Sequence, residues 1–141
     1  MQLDDFWKAL REQGSYETPP EHGRSLYRYV FGWSDAAYYV RVFMVVVHAR
    51  WLADRGRFDR RSWAVHSLAM LRTAESTGAK AGLFGFENLR GLKMPVVYVS
   101  NHMSMLETLV LPGILLAFGD VSVVVKQALL EYPVFSRVMA A

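Results

Sequence analysis

Between Asp35 and Leu52, apolar residues recur at Ala36, Val40, Phe43, Val47 and Trp51, at steps of four, three, four and four. That is the period of an α-helix, and Ser34 stands where its N-cap belongs. Tyr38, Tyr39, Val42, Met44, Val45 and Val46 make most of the remaining surface apolar as well. A helix apolar nearly all round is either buried or in contact with lipid. Crossing a bilayer takes about 20 uninterrupted apolar residues. Asp35, Arg41, His48 and Arg50 interrupt this stretch, so it reads as a helix lying in a membrane interface. A second helix is predicted over 62–77, with Trp63, Ser67, Met70 and Ala74 on one face and Gly78 at the C-terminal cap. The two make a helical hairpin over residues 34–78. Residues 1–33 are a polar N-terminal arm, a short helix followed by a loosely held segment after Pro19-Pro20.

The period changes after Gly78. Leu83 to Phe86 is short, apolar and aromatic, and a turn-rich connection follows. The run 96–100 is β-branched and bounded by Pro95, as a buried strand would be, and 121–125 repeats the pattern. Residues 104–118 between them have a helical pattern. Strand, helix and strand within such a short span predict a βαβ unit with parallel strands. The fold class expected is therefore α/β: a helical hairpin followed, over 79–141, by the first βαβ part of a larger sheet.

Polar residues break the apolar run Val96–Leu111 at Asn101, His102, Ser104 and Glu107. His102 falls just past the carboxyl end of a predicted parallel strand, where ligands bind in open α/β sheets. In one continuous helix, five residues turn a side chain by about 140°, so His102 and Glu107 meet only if His102 lies in the turn before the helix. Ser104 as N-cap gives that arrangement. Ser104 and Glu107 also make a capping-box pattern, in which both satisfy backbone amides. The two readings are compatible. A histidine removes a proton from a hydroxyl only when neutral and correctly oriented, and a carboxylate on one ring nitrogen supplies the orientation. Ser104 lacks the glycines of a nucleophile elbow, so the pair points to direct attack by a bound substrate alcohol. A metal site is disfavoured, because no second His or Asp lies nearby.

Composition adds little to this and excludes some chemistry. The 141 residues suffice for one domain with a core. Cysteine is absent, so disulfides, thiol nucleophiles and thiolate metal sites are excluded. At 52% hydrophobic residues with a mean hydropathy of +0.12, the chain is apolar for its size. The net charge of +3 suits an anionic surface as partner. Arg50, Arg55, Arg57, Arg60 and Arg61 sit directly beside the apolar helix, against Asp54 and Asp59. Such arginines suit anionic lipid headgroups. They permit nucleic acid as a partner, but no nucleic-acid motif accompanies them. His22, His48 and His66 read as surface or packing histidines. Trp33, Trp51 and Trp63 suit either interfacial anchoring or core packing.

Three ordered segments resemble the 1-acylglycerol-3-phosphate (lysophosphatidate-type) acyltransferase family. Asn101, His102, Ser104 and Glu107 match its first motif, N-H-x-S-x-x-D, with Glu107 where the family pattern has Asp. GFENL (Gly85 to Leu89) is similar to its G-x-E-N-L stretch. VVKQALLEYPVFSRVM (Val124 to Met139) resembles its second motif, with Lys126 after a strand and Pro133-Val134-Phe135 in the next turn. The resemblance implies His102 as general base, Glu107 as its orienting acid, and Asn101, Ser104 and Lys126 as substrate-binding residues. It implies an acyl-CoA or acyl carrier protein thioester as donor, a lysophospholipid as acceptor, and no metal or tightly held cofactor. The expected setting is the cytoplasmic face of a membrane, in phospholipid biosynthesis. The family's third motif, a glycine–arginine segment, and its fourth do not occur before Ala141, so the 141-residue chain is expected to be incomplete and inactive alone. The alternative is a non-catalytic membrane- or partner-binding module derived from such an enzyme.

Overall fold

A computed structural model describes residues 2–20, 35–93, 95–101, 103–131 and 136–139. Helix α1 (Leu3–Glu12) begins on a capping box between Gln2 and Asp5. Leu3, Phe6, Trp7 and Leu10 fall on one face of it and are buried. At about 1.5–3 kcal/mol for each large apolar side chain removed from water, this face anchors the N-terminal segment. The polar composition of the segment hides that stripe, and the helix is part of the core. The chain turns at Gly14, where φ is 73° and a Cβ would collide with the backbone of Glu87. Strand β1 (Tyr16–Glu17) then pairs antiparallel with β2 (Gly82–Leu83), Tyr16 opposite Leu83.

Helices α2 (Asp35–Asp54) and α3 (Arg60–Ser76) form the hairpin that the spacing predicts. The proposed cap Ser34 lies outside the described residues. Helix α3 starts two residues earlier than expected because Asp59 caps it, its carboxylate accepting from Ser62 N–H at 2.7 Å. It ends as Gly78 predicts. Gly78 takes φ 101°, Gly78 N–H bonds Glu75 O at 2.9 Å, and Ala79 N–H bonds Ala74 O at 3.2 Å. The far end of the hairpin is tied by Arg41 Nη1 donating to Ser76 Oγ at 2.8 Å.

Phe86–Leu89 makes one 3-10 turn, entered through Gly85 at φ 85°. Arg90, directly after it, caps α1 by donating to Arg11 O at 2.7 Å and Glu12 O at 2.6 Å. Helix α4 (Met105–Leu115) packs along α3, with Gly113 set against Ser67. Trp7 Nε1 donates to Gly113 O at 2.9 Å, which ties α1 to the same seam. Two short helices, α5 (Gln127–Glu131) and α6 (Ser136–Met139), close the order. Leu3, Phe6 and Leu10 from α1, Ala64, Leu68 and Leu71 from α3, and Val110 and Ile114 from α4 share one core.

The described chain is mostly helical, with one small two-stranded antiparallel sheet. The general mixed character agrees with the sequence, but the expected parallel βαβ pairing does not form among these residues. Residues 96–100 and 121–125 carry no strand ladder. The reason is packing: α4 buries its apolar face on α3 rather than on a sheet, so the flanking segments are not laid side by side. Val97 and Val99 are 90% and 91% exposed as a result. Among the described residues, no helix is long and apolar enough to cross a membrane.

Candidate functional site

Ser104 is extended at φ −148° and is the N-cap of α4. Its N–H donates to Glu107 Oε1 at 2.8 Å, and Met103 N–H donates to the same oxygen. Ser104 Oγ reaches Oε2 of Glu107 at 3.4 Å. This is the reciprocal capping box that the sequence permits. Glu107 therefore satisfies amides left over at the helix start, and the positive end of the helix dipole favours its charge. His102, the proposed base, lies outside the described residues. The carboxylate is fastened to the two residues that directly follow it. Asn101 and Lys126 stand exposed on two irregular segments, Lys126 immediately before α5. The structure thus joins Ser104 to Glu107. Pro133, Val134 and Phe135 of the second motif lie outside the described residues.

Beside α4 runs a groove of about 600 Å³, in the range of ligand pockets. Val45, Val46 and Ala49 of α2 form one wall, and Trp63, His66 and Met70 of α3 another. Leu109 and Pro112 of α4, with Val121, Val123 and Val125, complete it. A polar cluster lies in the same lining. Arg60 donates to Leu116 O at 2.6 Å and Gly119 O at 3.3 Å, and meets Asp120 at 3.0 Å. It serves the carbonyl end of α4 as Arg90 serves that of α1. Among the described residues, no three His, Asp or Glu side chains are grouped to hold a metal ion.

One feature was not read from the sequence as functional. It is a histidine pair in the hairpin: His48 Nδ1 and His66 Nε2 are 3.0 Å apart. The signal was present, because the two are equidistant in sequence from Arg57 at the hairpin connection. An antiparallel hairpin brings such positions opposite each other. The helix that the sequence reads as lying in a membrane interface turns an apolar face outward. Val40, Phe43, Met44, Val47 and Trp51 follow helical spacing and are all exposed. Arg55 lies over the Trp51 ring at 3.8 Å, where it shares a cation–π contact. Comparisons with protein-family models, with curated proteins and with solved structures found no match.

Proposed function

We propose that the chain is the histidine–acid part of a membrane-associated O-acyltransferase. It moves a fatty acyl group from acyl-CoA or acyl carrier protein to the hydroxyl of a lysophospholipid such as 1-acylglycerol-3-phosphate. The observation that carries this reading is the bond set of Glu107. Its carboxylate organises Met103 and Ser104, the residues next to His102 in the N-H-x-S-x-x-E pattern. In this reading His102 takes the proton of the acceptor hydroxyl as its oxygen attacks the thioester carbonyl. A C–O bond forms, the C–S bond breaks, and the leaving thiolate takes the proton back from the imidazolium. This reading assigns residues 96–100 and 121–125 to the first strands of an acyltransferase sheet, a pairing that the described residues do not make by themselves. Val96 and Tyr98 half-buried against exposed Val97 and Val99 give the alternation that such pairing uses.

The test is thiol release from acyl-CoA, with and without lysophosphatidate, by the protein expressed from its full reading frame. We expect acceptor-dependent release that falls about 10²-fold or more in His102→Ala. Release that is absent with both donor types, or unchanged in His102→Ala, overturns the reading.

A second reading, a non-catalytic lipid-binding module, is favoured by the exposed α2 stripe beside Arg50, Arg55 and Arg57. Vesicle binding without turnover, undiminished by His102→Ala, selects it.

A further inference from the structure

The pair His48–His66 lies outside the proposed reaction and stands independently of it. His66, on α3, is buried at 8% exposure, and its Nδ1 lies 2.6 Å from the Ser62 carbonyl oxygen. A carbonyl only accepts, so Nδ1 carries the hydrogen. In the neutral ring, Nε2 is then a bare acceptor. It faces Nδ1 of His48, on α2, at 3.0 Å, so His48 is the donor. Both tautomers are thereby fixed, and the free nitrogen of the pair is Nε2 of the exposed His48. The rings stack at 5.1 Å, with Trp51 stacked on His48 at 5.8 Å and Phe58 tilted against His66 at 5.7 Å.

Several charged groups near the pair have partners of their own. One turn to either side stand Met44, Val45, Trp51 and Leu52 on α2, and Ser62, Trp63, Ala69 and Met70 on α3, none of them ionisable. The groove that His66 lines also holds Asp59, bonded to Ser62 N–H, and Arg60, paired with Asp120. From α6, Arg137 meets Asp54 at 3.7 Å, and Arg50 meets the same carboxylate group at 3.5 Å. On α4 the ionisable side chain is Glu107, held at the helix start by backbone amides.

We propose that His48 and His66 form an acid-sensitive latch across the α2–α3 seam, shut while at most one ring is protonated and open when both are. A proton added at Nε2 of His48 leaves the bond to His66 in place and makes it charge-assisted. The second proton must go to Nε2 of His66. An N–H then faces an N–H, and two like charges stand at contact distance. Burial, the largest influence, holds His66 below the usual 6.5, and the charge of His48 adds to this, while the Ser62 carbonyl acts the other way. The unfolded chain thus binds this proton more readily than the folded one. The seam's contribution is fully present above pH 6.5 and is lost as pH falls below it through the folded value. Opening the latch loosens the helix that carries both the exposed apolar stripe and the Val45–Val46–Ala49 wall of the groove.

The test joins two measurements: an NMR titration of the histidine rings, and hydrogen exchange of the α2 amides between about pH 7.5 and 5, corrected for intrinsic rates. We expect the His66 ring to take its proton below the usual 6.5. Exchange in the second half of α2 should rise about tenfold as His66 is protonated, and this acid response should be absent in His66→Gln. A flat exchange profile, or the same acid response in His66→Gln, overturns the proposal. If His66→Gln does not fold, the wild-type protein decides: exchange that rises together with protonation of the His66 ring supports the latch, and exchange that does not overturns it.

Discussion

Glu75 is a carboxyl residue at 1% exposure; two hydroxyls serve one of its oxygens, while Oε2 is buried without a hydrogen-bond partner among the described residues. Tyr16 OH donates to its Oε1 at 2.8 Å and Thr18 Oγ1 at 2.6 Å, so the end of α3 is tied to β1. Thr18 Oγ1 in turn accepts from Ala81 N–H at 2.8 Å, which extends the tie to the segment before β2. One carboxylate oxygen therefore holds the small sheet against the hairpin. Removing it leaves the buried Tyr16 hydroxyl without an acceptor, at about 1–3 kcal/mol, and leaves the half-buried Thr18 hydroxyl only its longer bond to Ala81 O at 3.3 Å. We expect Glu75→Ala to lose about 3 kcal/mol, read as a lower urea midpoint at unchanged slope. Glu75→Gln, which keeps one acceptor oxygen, should lose less. The same bond makes an alkaline signature. Burial first, then Glu75, pushes the Tyr16 hydroxyl well above its usual 10.0, so the folded state keeps a proton that the unfolded state gives up. Stability is fully present below pH 10.0 and declines as pH rises beyond it. Tyr16→Phe should flatten that decline, and a decline of equal slope in Tyr16→Phe would refute the assignment. None of this tie is visible in the sequence, where Tyr16 and Glu75 are isolated polar residues with no periodic signal.

At the scale of elements, the longer helices were legible and the strands were not, for one reason. A helix satisfies its backbone within itself, so the spacing of Val40, Phe43, Val47 and Trp51 suffices to find it. A strand needs a neighbour, and the β-branched runs 96–100 and 121–125 specify only what they would do beside one. Gly78 and the Ser104–Glu107 box marked helix ends correctly because caps are local too. The face that α2 turns outward is a tertiary fact, since a helix apolar nearly all round does not announce which side is covered. Val45, Val46 and Ala49 turn toward the groove, and Phe43 and Met44 turn away from it. If that outer stripe enters an anionic lipid interface, Phe43→Ser with Met44→Ser should weaken binding to phosphatidylserine-containing vesicles about tenfold or more, with little change in stability. Arg55→Ala with Arg57→Ala should weaken it by about 1 kcal/mol per arginine at low salt, and less as salt rises. Sedimentation with vesicles measures both, and binding indifferent to both pairs would remove the stripe from any membrane role.

At the scale of the whole molecule, α3 is the element on which α1, α2 and α4 converge, and the tightest point is the crossing of α3 and α4. Spacing along residues 104–118 does not mark it, because the close approach depends on Ser67, far away in the chain. In the fold, a Cβ on Gly113 would overlap the Cβ of Ser67, so the glycine lets the two helices approach. The Gly113 carbonyl also accepts from Trp7 Nε1, so α1 depends on the same spot. Two effects of Gly113→Ala then oppose each other. Helix propensity favours alanine by about 0.5–1 kcal/mol. Overpacking against Ser67, together with displacement of the carbonyl that Trp7 bonds, costs about 1–3 kcal/mol for the first and about 1 kcal/mol for the second. The clash should win, leaving Gly113→Ala about 2 kcal/mol less stable by denaturant unfolding. Ser67→Gly removes the clashing Cβ, and should therefore cost less in the Gly113→Ala background than in the wild type. A double-mutant cycle on the four proteins should give a favourable coupling of about 1 kcal/mol. Additive losses would mean that α3 and α4 do not meet through these residues. The core that unites α1 with α3 and α4 would then rest on the apolar face of α1 without this crossing to position it.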